Sequence, residues 1–537
     1  MTPPQDENLL CDEASAALAR GDLHKAADMC KSLLVAFPQS ARGYHLTASL
    51  FQATGNYKKA YDYSSIAAGL DDRVAQYHMQ QGQMLYILKE YAQAGEAFGR
   101  AVEISGQAAE PCRLLGNTLV AQERFDEAKR WFEKARLAAE PVDTRIDEAE
   151  CALQSGELEA AEALLSDYLG AYPQSAQAHY MLALLAIYVQ ELDRAQDLLQ
   201  AAVENDPRHG QAHFYLALLC AEGGDEQGAV KRLLQVLENE PTHLSSLLLL
   251  GGIFMKLGDF PSAEKAFSHV LALCPDHLLA WYSLLELLQV EGRGREGVQR
   301  LGEVMQTMDK STALLHLRAL FSGDVPPCAP RAFVAAFYAS FVEMFEPWVV
   351  ATGQTPHLET LVKSLRALPQ LQEKRYASLL DLGCGTGVAS RLLADFAAIR
   401  VGVDVSPHML KIARRSKGYD VLYELDMVEY ALGSETLFDV VLAAGALRWS
   451  GNLQPFFHAV RGVMHKDSIL ACLFEKELST LAYSVANHGR YSHHLSYIRD
   501  VSQAGGLELV SHQEIVSKDQ EQAVTRHLCF FKKMTIH

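Results

Sequence analysis

The segment Asp381–Gly387 reads DLGCGTG, three glycines at alternating positions behind an acid. It ends the apolar run Ala377–Leu382 and precedes the helical pattern VASRLLADFA. Glycines at 383, 385 and 387 let a strand turn sharply into a helix and let a ligand touch backbone where a Cβ would intrude. The helix start then offers free N–H groups to an anionic group. A dinucleotide loop of the form GxGxxG calls for a small residue at 388, where this chain has Val388. Asp381, two residues before the first glycine, is placed to meet an ammonium group rather than a pyrophosphate. Asp404, at the tip of the next apolar strand in IRVGVDVS, is placed to accept hydrogen bonds from two ribose hydroxyls. Together these features point to S-adenosylmethionine.

Methyl transfer from a sulfonium is an in-line displacement, so positioning the acceptor does most of the work. A base is needed only where the acceptor must lose a proton. His493, Tyr491 and Glu475, with His494 beside them, are the candidates by position and chemistry. His488, His493 and His494 lack a spacing suited to metal ligation, and the ten cysteines include no CxxC pair, so no metal is expected.

The elements that must carry these residues follow from periodicity. Strand patterns end at Asp404 and Asp426, run over Leu437–Gly445 and recur in SILACLFE, alternating with helical stretches such as PHMLKIARRS and NLQPFFHAVRGVM. That alternation predicts an α/β doubly wound parallel sheet. A late helix near HHLSYIRDVSQA and the extended runs LELVSHQEIV and TRHLCFFKK predict an antiparallel ending.

Residues 331–537 resemble the class I S-adenosylmethionine-dependent methyltransferases, a Rossmann-like fold. The resemblance implies that Asp381, Gly383, Gly385 and Gly387, with Cys384 in the same loop, surround the methionine moiety and that Asp404 holds the ribose. It also implies that Val405, Ser406 and Met409 line the adenosine, and that Asp426 and Met427 contact the adenine. The segments FYASFVEMFEPWVVATGQTPHLETL and HGRYSHHLSYIRD are similar to a bacterial group of predicted methyltransferases that carry tetratricopeptide repeats. That similarity implies a helix covering the cofactor, with Tyr338 near the methionine end, and an acceptor pocket helped by Gly489–His493. The chain departs from the group at Gly445, where an acid is common, and at His465–Ser468, which replaces a Pro-Gly-Gly. AAGALRWSG after the fourth strand lacks the Pro-Pro-aromatic loop of methylases acting on nucleobase or glutamine amines.

The first part of the chain is periodic. Pro173, Pro207, Pro241 and Pro275 lie 34 residues apart, and corners such as Gly21-Asp22 and Gly258-Asp259 precede a small residue. Units starting near 7, 41, 75, 109, 142, 176, 210, 244 and 278 make nine repeats of a helix pair. Each unit sets a small residue, purest at Gly82, Gly116 and Gly251, against an aromatic such as Phe98, Phe132 or Phe267. The array resembles tetratricopeptide repeats over residues 7–321, an all-α superhelix closed by a capping helix at Thr312–Phe321. Ser322–Pro330 reads as a linker to the methyltransferase domain at 331–537.

In this family the first helix of each unit lines the concave surface. The matching offsets hold Tyr180, Leu184, Ile187, Phe214, Leu218, Leu248 and Met255, an apolar patch toward the end of the array. Of the net charge of −18, all lies in residues 1–330, because 331–537 hold 21 basic and 21 acidic side chains. The expectation is a protein or peptide partner with basic residues, and no nucleic acid. The longest apolar run is too short to span a membrane, and the start MTPPQDENLL lacks a secretory pattern, so a cytoplasmic setting is expected. The functional expectation is a methyltransferase whose repeats recruit a protein. The alternatives are an inactive methyltransferase-like scaffold and a methyltransferase of a small-molecule or lipid pathway.

Overall fold

The computed structural model describes residues 6–308, 311–324, 326–340, 356–369, 376–486, 489–519 and 522–534. The chain divides into two compact units, Met1–Met181 and Leu182–His537.

Nine helix pairs run from Glu7–Ala19 with Leu23–Ala36 to Leu278–Val290 with Gly294–Gln306, and Thr312–Phe321 follows them. Polar corner residues start the second helices. Asp22, Asn56, Asp225 and Asp259 each accept the N–H three residues on, through a side-chain oxygen. Within a pair, backbones approach closely where the small residue sits. A Cβ on Gly116 would stand 2.5 Å from the Phe132 ring, so only glycine admits that ring. The fifth repeat starts at Arg145 rather than near 142, because Asp143 accepts the Arg145 N–H at 3.1 Å and holds a turn there.

The second unit continues from the repeats into a sheet. Its first five strands are β1 (Tyr376–Leu382), β2 (Ala397–Asp404), β3 (Val421–Glu424), β4 (Phe438–Ala443) and β5 (Met464–Lys476). They pair in parallel in the order β3-β2-β1-β4-β5. A short hairpin of β6 (Tyr483–Val485) and β7 (Tyr491–His493) meets the end of β5 at Glu475–Lys476. Then β8 (Leu507–Asp519) and β9 (Gln522–Lys533) run antiparallel, with β9 along β5. The expected doubly wound sheet with an antiparallel ending is therefore present, and the hairpin adds to it. Alternation along the strands feeds two cores. Leu379, Val440 and Ile469 pack with Leu361 and Leu365, while Leu380, Val441 and Leu470 pack with Phe456, Phe457 and Phe531.

Two elements are shorter than expected. The helix after the glycine loop is only Val388–Leu392, because β2 already begins at Ala397. The third strand stops at Glu424, and Asp426 instead caps the helix Met427–Gly433, accepting the N–H groups of Val428 and Glu429 at 2.8 and 3.2 Å.

Residues 327–329, after the capping helix, are held by backbone bonds. Pro327 accepts the N–H groups of Gly451 and Asn452, and Ala329 donates to the Trp449 carbonyl. Residues 331–340 are helical, and Phe333 and Val334 there share one core with Leu314, Leu317 and Leu320 of the capping helix and with Trp449. Tyr188, at the end of the first helix of repeat six, packs on Met409 and Ile412 together with Tyr338.

This packing corrects the expectation of an open apolar patch on the later repeats. Ile187, Phe214, Leu218 and Leu248 are buried, and Tyr180, Leu184 and Met255 are half-buried. Leu248 and Met255 belong to the core that holds Phe333 and Trp449, and Phe214 sits edge-on to Tyr215 and His243. Among the described residues no helix is long and apolar enough to cross a membrane.

Candidate functional site

The strand order places β1 between β2 and β4, so the crossovers leave in opposite directions and a crevice opens at the carboxyl ends of these strands. A cavity of about 370 Å³ lies there. Asp381 ends on its wall from β1, Asp404 from β2, and Ala444–Ser450 from the turn after β4.

The glycine loop closes tightly on the sheet. Gly383 and Cys384 both donate to the Val403 carbonyl, at 2.8 and 3.0 Å. Gly383 has φ of +76°, and a Cβ there would collide with Ala446, so the loop and the turn after β4 can touch only through glycine. Gly385 donates to one oxygen of Asp404 at 2.9 Å, and Ser406 donates its N–H to the other at 2.9 Å. The carboxylate is thus fixed in the crevice by two backbone donors. Each oxygen still has a lone pair for a ligand hydroxyl. Burial raises the Asp404 pKa, and the Ser406 and Gly385 donors oppose that rise.

Asp381 is 2% exposed. Its carboxylate accepts the Tyr419 hydroxyl at 2.6 Å, and burial pushes its pKa up to about 6, with Asp404 adding to the rise and Tyr419 opposing it. Among the described residues no cation pairs with Asp381 or Asp404. Two buried carboxylates side by side without a cation suit a ligand that brings positive charge to one and hydroxyls to the other. The sulfonium and ammonium of S-adenosylmethionine, together with its ribose, fit that demand.

Ten of the twelve cofactor residues expected from the sequence line this cavity: Asp381, Gly383, Cys384, Gly385, Asp404, Val405, Met409, Asp426, Met427 and Tyr338. Gly387 and Ser406 do not. Gly387 caps the short helix that starts at Val388, next to Ser416 and Tyr419. Ser406 is fully buried and caps the helix Pro407–Arg415 through its hydroxyl, which accepts the Met409 N–H at 3.3 Å. The covering helix carries Arg331, Val334 and Tyr338 onto the wall, and Trp449 donates its indole N–H to the Tyr338 hydroxyl at 3.2 Å. The rest of the quoted covering segment, 341–355, lies outside the described residues, as does His488.

The acid–base candidates are elsewhere. Tyr491 is fully buried and donates its hydroxyl to the Pro326 carbonyl at 2.6 Å. His493 is fully buried with Nε2 2.7 Å from the Ser450 carbonyl, and burial lowers its pKa to about 4. Glu475 lies on β5 opposite Ser492 and Arg526, and His494 caps the helix Leu495–Ala504. None of the four lines the cavity. Tyr419 contacts Asp381, and Arg331, His357 and Arg448 line the wall, although no sequence motif marks them. Only the fold brings them to the crevice.

Residues 380–472 match the family described as a methyltransferase domain, and 113–176 and 180–243 match tetratricopeptide repeats. Over 148 residues the chain is 30% identical to a malonyl-[acyl-carrier protein] O-methyltransferase of Enterobacter lignolyticus, covering 27% of this chain and 55% of that one. Over 147 residues it is 24% identical to a heat-shock cognate co-chaperone of Aspergillus fumigatus, covering 27% and 41%. The chain thus spans about half the length of these relatives. A Burkholderia thailandensis 1,6-didemethyltoxoflavin N1-methyltransferase structure is 17% identical, with a TM-score of 0.32 over 40% of this chain and 93% of that one. The chain therefore carries tetratricopeptide-repeat sequence in its first half and a methyltransferase domain in its second.

Proposed function

We propose that the protein is an S-adenosylmethionine-dependent methyltransferase. The observation that carries this reading is the pair Asp381 and Asp404, buried at adjacent strand tips on one cavity and fixed by Tyr419, Gly385 and Ser406. When bound, the cofactor supplies an activated methyl group on a sulfonium. Asp404 holds the ribose hydroxyls, Asp381 faces the ammonium group, and the glycine loop accommodates the methionine moiety. Val405, Met409, Asp426 and Met427 form the adenosine end, and Tyr338 closes the cavity from the covering helix. Calorimetry with S-adenosylhomocysteine tests the site: the full chain binds, and Asp404→Ala abolishes detectable binding while circular dichroism is unchanged. An affinity of the variant within threefold of the parent overturns the assignment.

The repeats recruit a protein substrate or partner in this reading. Support comes from the repeat family and from the acidic excess of residues 1–330, which suits a partner with basic residues. Ten free cysteines suit a reducing cytoplasm. Crosslinking of the folded protein to partners, repeated in high salt, checks the charge component. Capture unaffected by salt argues against a basic partner.

A further inference from the structure

The turn after β4 carries a charge that the cofactor reading does not use. Residues Ala446–Trp449 form a single tight turn in which Leu447 and Trp449 are buried, while Arg448 is half-buried and lines the cavity. Among the described residues no carboxylate or carbonyl pairs with its guanidinium. The other arginine on the wall, Arg331, lies 3.7 Å from both Glu424 and Glu429. A guanidinium on the wall of a cavity with no acid beside it suits an anionic ligand, with which it forms charge-assisted hydrogen bonds. The turn also touches the glycine loop, since Ala446 abuts Gly383, so Arg448 belongs to the same cavity end as the loop expected to hold the methionine moiety.

Resting on the methyltransferase reading above, we propose that Arg448 binds the carboxylate of an acidic acceptor, and that the reaction is methyl esterification. A carboxylate oxygen forms the new bond to the methyl carbon. The carbon–sulfur bond of the sulfonium donor breaks, and its electron pair stays on sulfur, which leaves as a neutral thioether. A carboxylate is already deprotonated at neutral pH, so no proton is released and no base is needed. That chemistry is consistent with Tyr491, His493 and Glu475 all lying off the cavity. Val334, Leu358, Val403 and Leu425 on the wall favour an acid with an apolar body.

The test uses the full chain and Arg448→Gln, with Arg448→Lys as the conservative variant. Calorimetry with S-adenosylhomocysteine comes first, and all three proteins bind within about threefold of one another. A tenfold or greater loss in Arg448→Gln means that Arg448 holds the cofactor's own carboxylate, and this overturns the proposal. Absence of binding by the parent overturns the methyltransferase reading instead. With S-adenosylhomocysteine saturating, decanoate binds the parent at least tenfold tighter than Arg448→Gln, with Arg448→Lys between them, and decanol does not discriminate. Equal decanoate affinities overturn the proposal. Finally, methyl-labelled S-adenosylmethionine is incubated with the parent and an extract of its own cells. The label incorporated is released by mild alkali as volatile methanol, and alkali-stable label overturns the assignment.

Discussion

In the fourth repeat Gly116 lies beneath the Phe132 ring, and the buried neighbours, Ala128, Leu115 and Leu119, are apolar. At the tips of β1 and β2 the close approach of a glycine loop buries two carboxylates instead, Asp381 and Asp404. Glycine serves close packing in both places. In the repeat, however, the space it opens is filled by the chain's own aromatic ring, whereas at the strand tips Gly383 admits Ala446 and a Cβ on Gly385 would meet nothing within 4 Å. The difference separates residues that hold the protein together from residues that destabilise it until a ligand arrives. The repeat interior gains free energy on folding, and the strand tips hold charge away from water, a cost that a ligand of complementary charge would offset.

The largest expected effect tests where that line falls. Phe333, Val334 and Trp449 share a core with the capping helix, so a fragment of residues 331–537 exposes one side of it. At about 1.5–3 kcal/mol per large apolar side chain fully uncovered, and with these three uncovered on one side only, that fragment is roughly 2–5 kcal/mol less stable than residues 311–537 in urea denaturation. Equal stability of the two fragments would break the view that the capping helix belongs to the methyltransferase core.

Next in size is Phe132→Ala, which empties the space above Gly116 and costs about 3–5 kcal/mol. Because this site only packs, S-adenosylhomocysteine affinity at a temperature where the variant stays folded remains within twofold. Asp404→Ala inverts that pattern. It loses charge-assisted acceptors worth about 1.5–3 kcal/mol or more, read as a loss of affinity beyond tenfold, and Asp404→Asn is milder because one acceptor oxygen survives.

Asp381 makes the contrast depend on pH. Its pKa of about 6 in the free protein lies above the ordinary 3.8, so the folded state holds the proton more tightly than the unfolded state. Stability without ligand therefore falls as pH rises from about 4 through 6, and Asp381→Asn removes that slope in denaturation curves. Binding has the opposite sign. An ammonium group selects the carboxylate, so S-adenosylhomocysteine affinity falls about tenfold from pH 7 to pH 5, and a flat profile would remove the ammonium from Asp381. The smallest effect is Tyr338→Phe, which breaks one 3.2 Å bond to Trp449. It costs about 0.5–1.5 kcal/mol in stability, with cofactor affinity within threefold.

The legible part of the fold was the part with a period or a motif. Helix pairs follow from small and large residues recurring every 34 positions, and the parallel sheet from apolar runs ending in Asp381 and Asp404. The hairpin of β6 and β7 was not legible, because three-residue strands carry too few residues to show alternation. The catalytic candidates failed for a related reason. His493 and Tyr491 look reactive as residue types, and only their neighbours, the carbonyls of Ser450 and Pro326, show that their polar atoms are engaged in structural bonds.

The sequence by itself determined the local chemistry. It set which loop can approach a ligand, which strand tip carries an acid, and which helix faces are small, because each depends on residues within a few positions of one another. Tertiary structure decided everything that depends on distant segments meeting. Tyr419 reaches Asp381 across 38 positions, Trp449 reaches Tyr338 across 111, and Tyr491 reaches Pro326 across 165. The burial of Leu248 against the core of Phe333 and Trp449 belongs to the same class. An apolar side chain on a repeat looks like an open surface until the partner segment is placed. Contacts of that length are selected by the packing of the whole unit, and no local pattern records them.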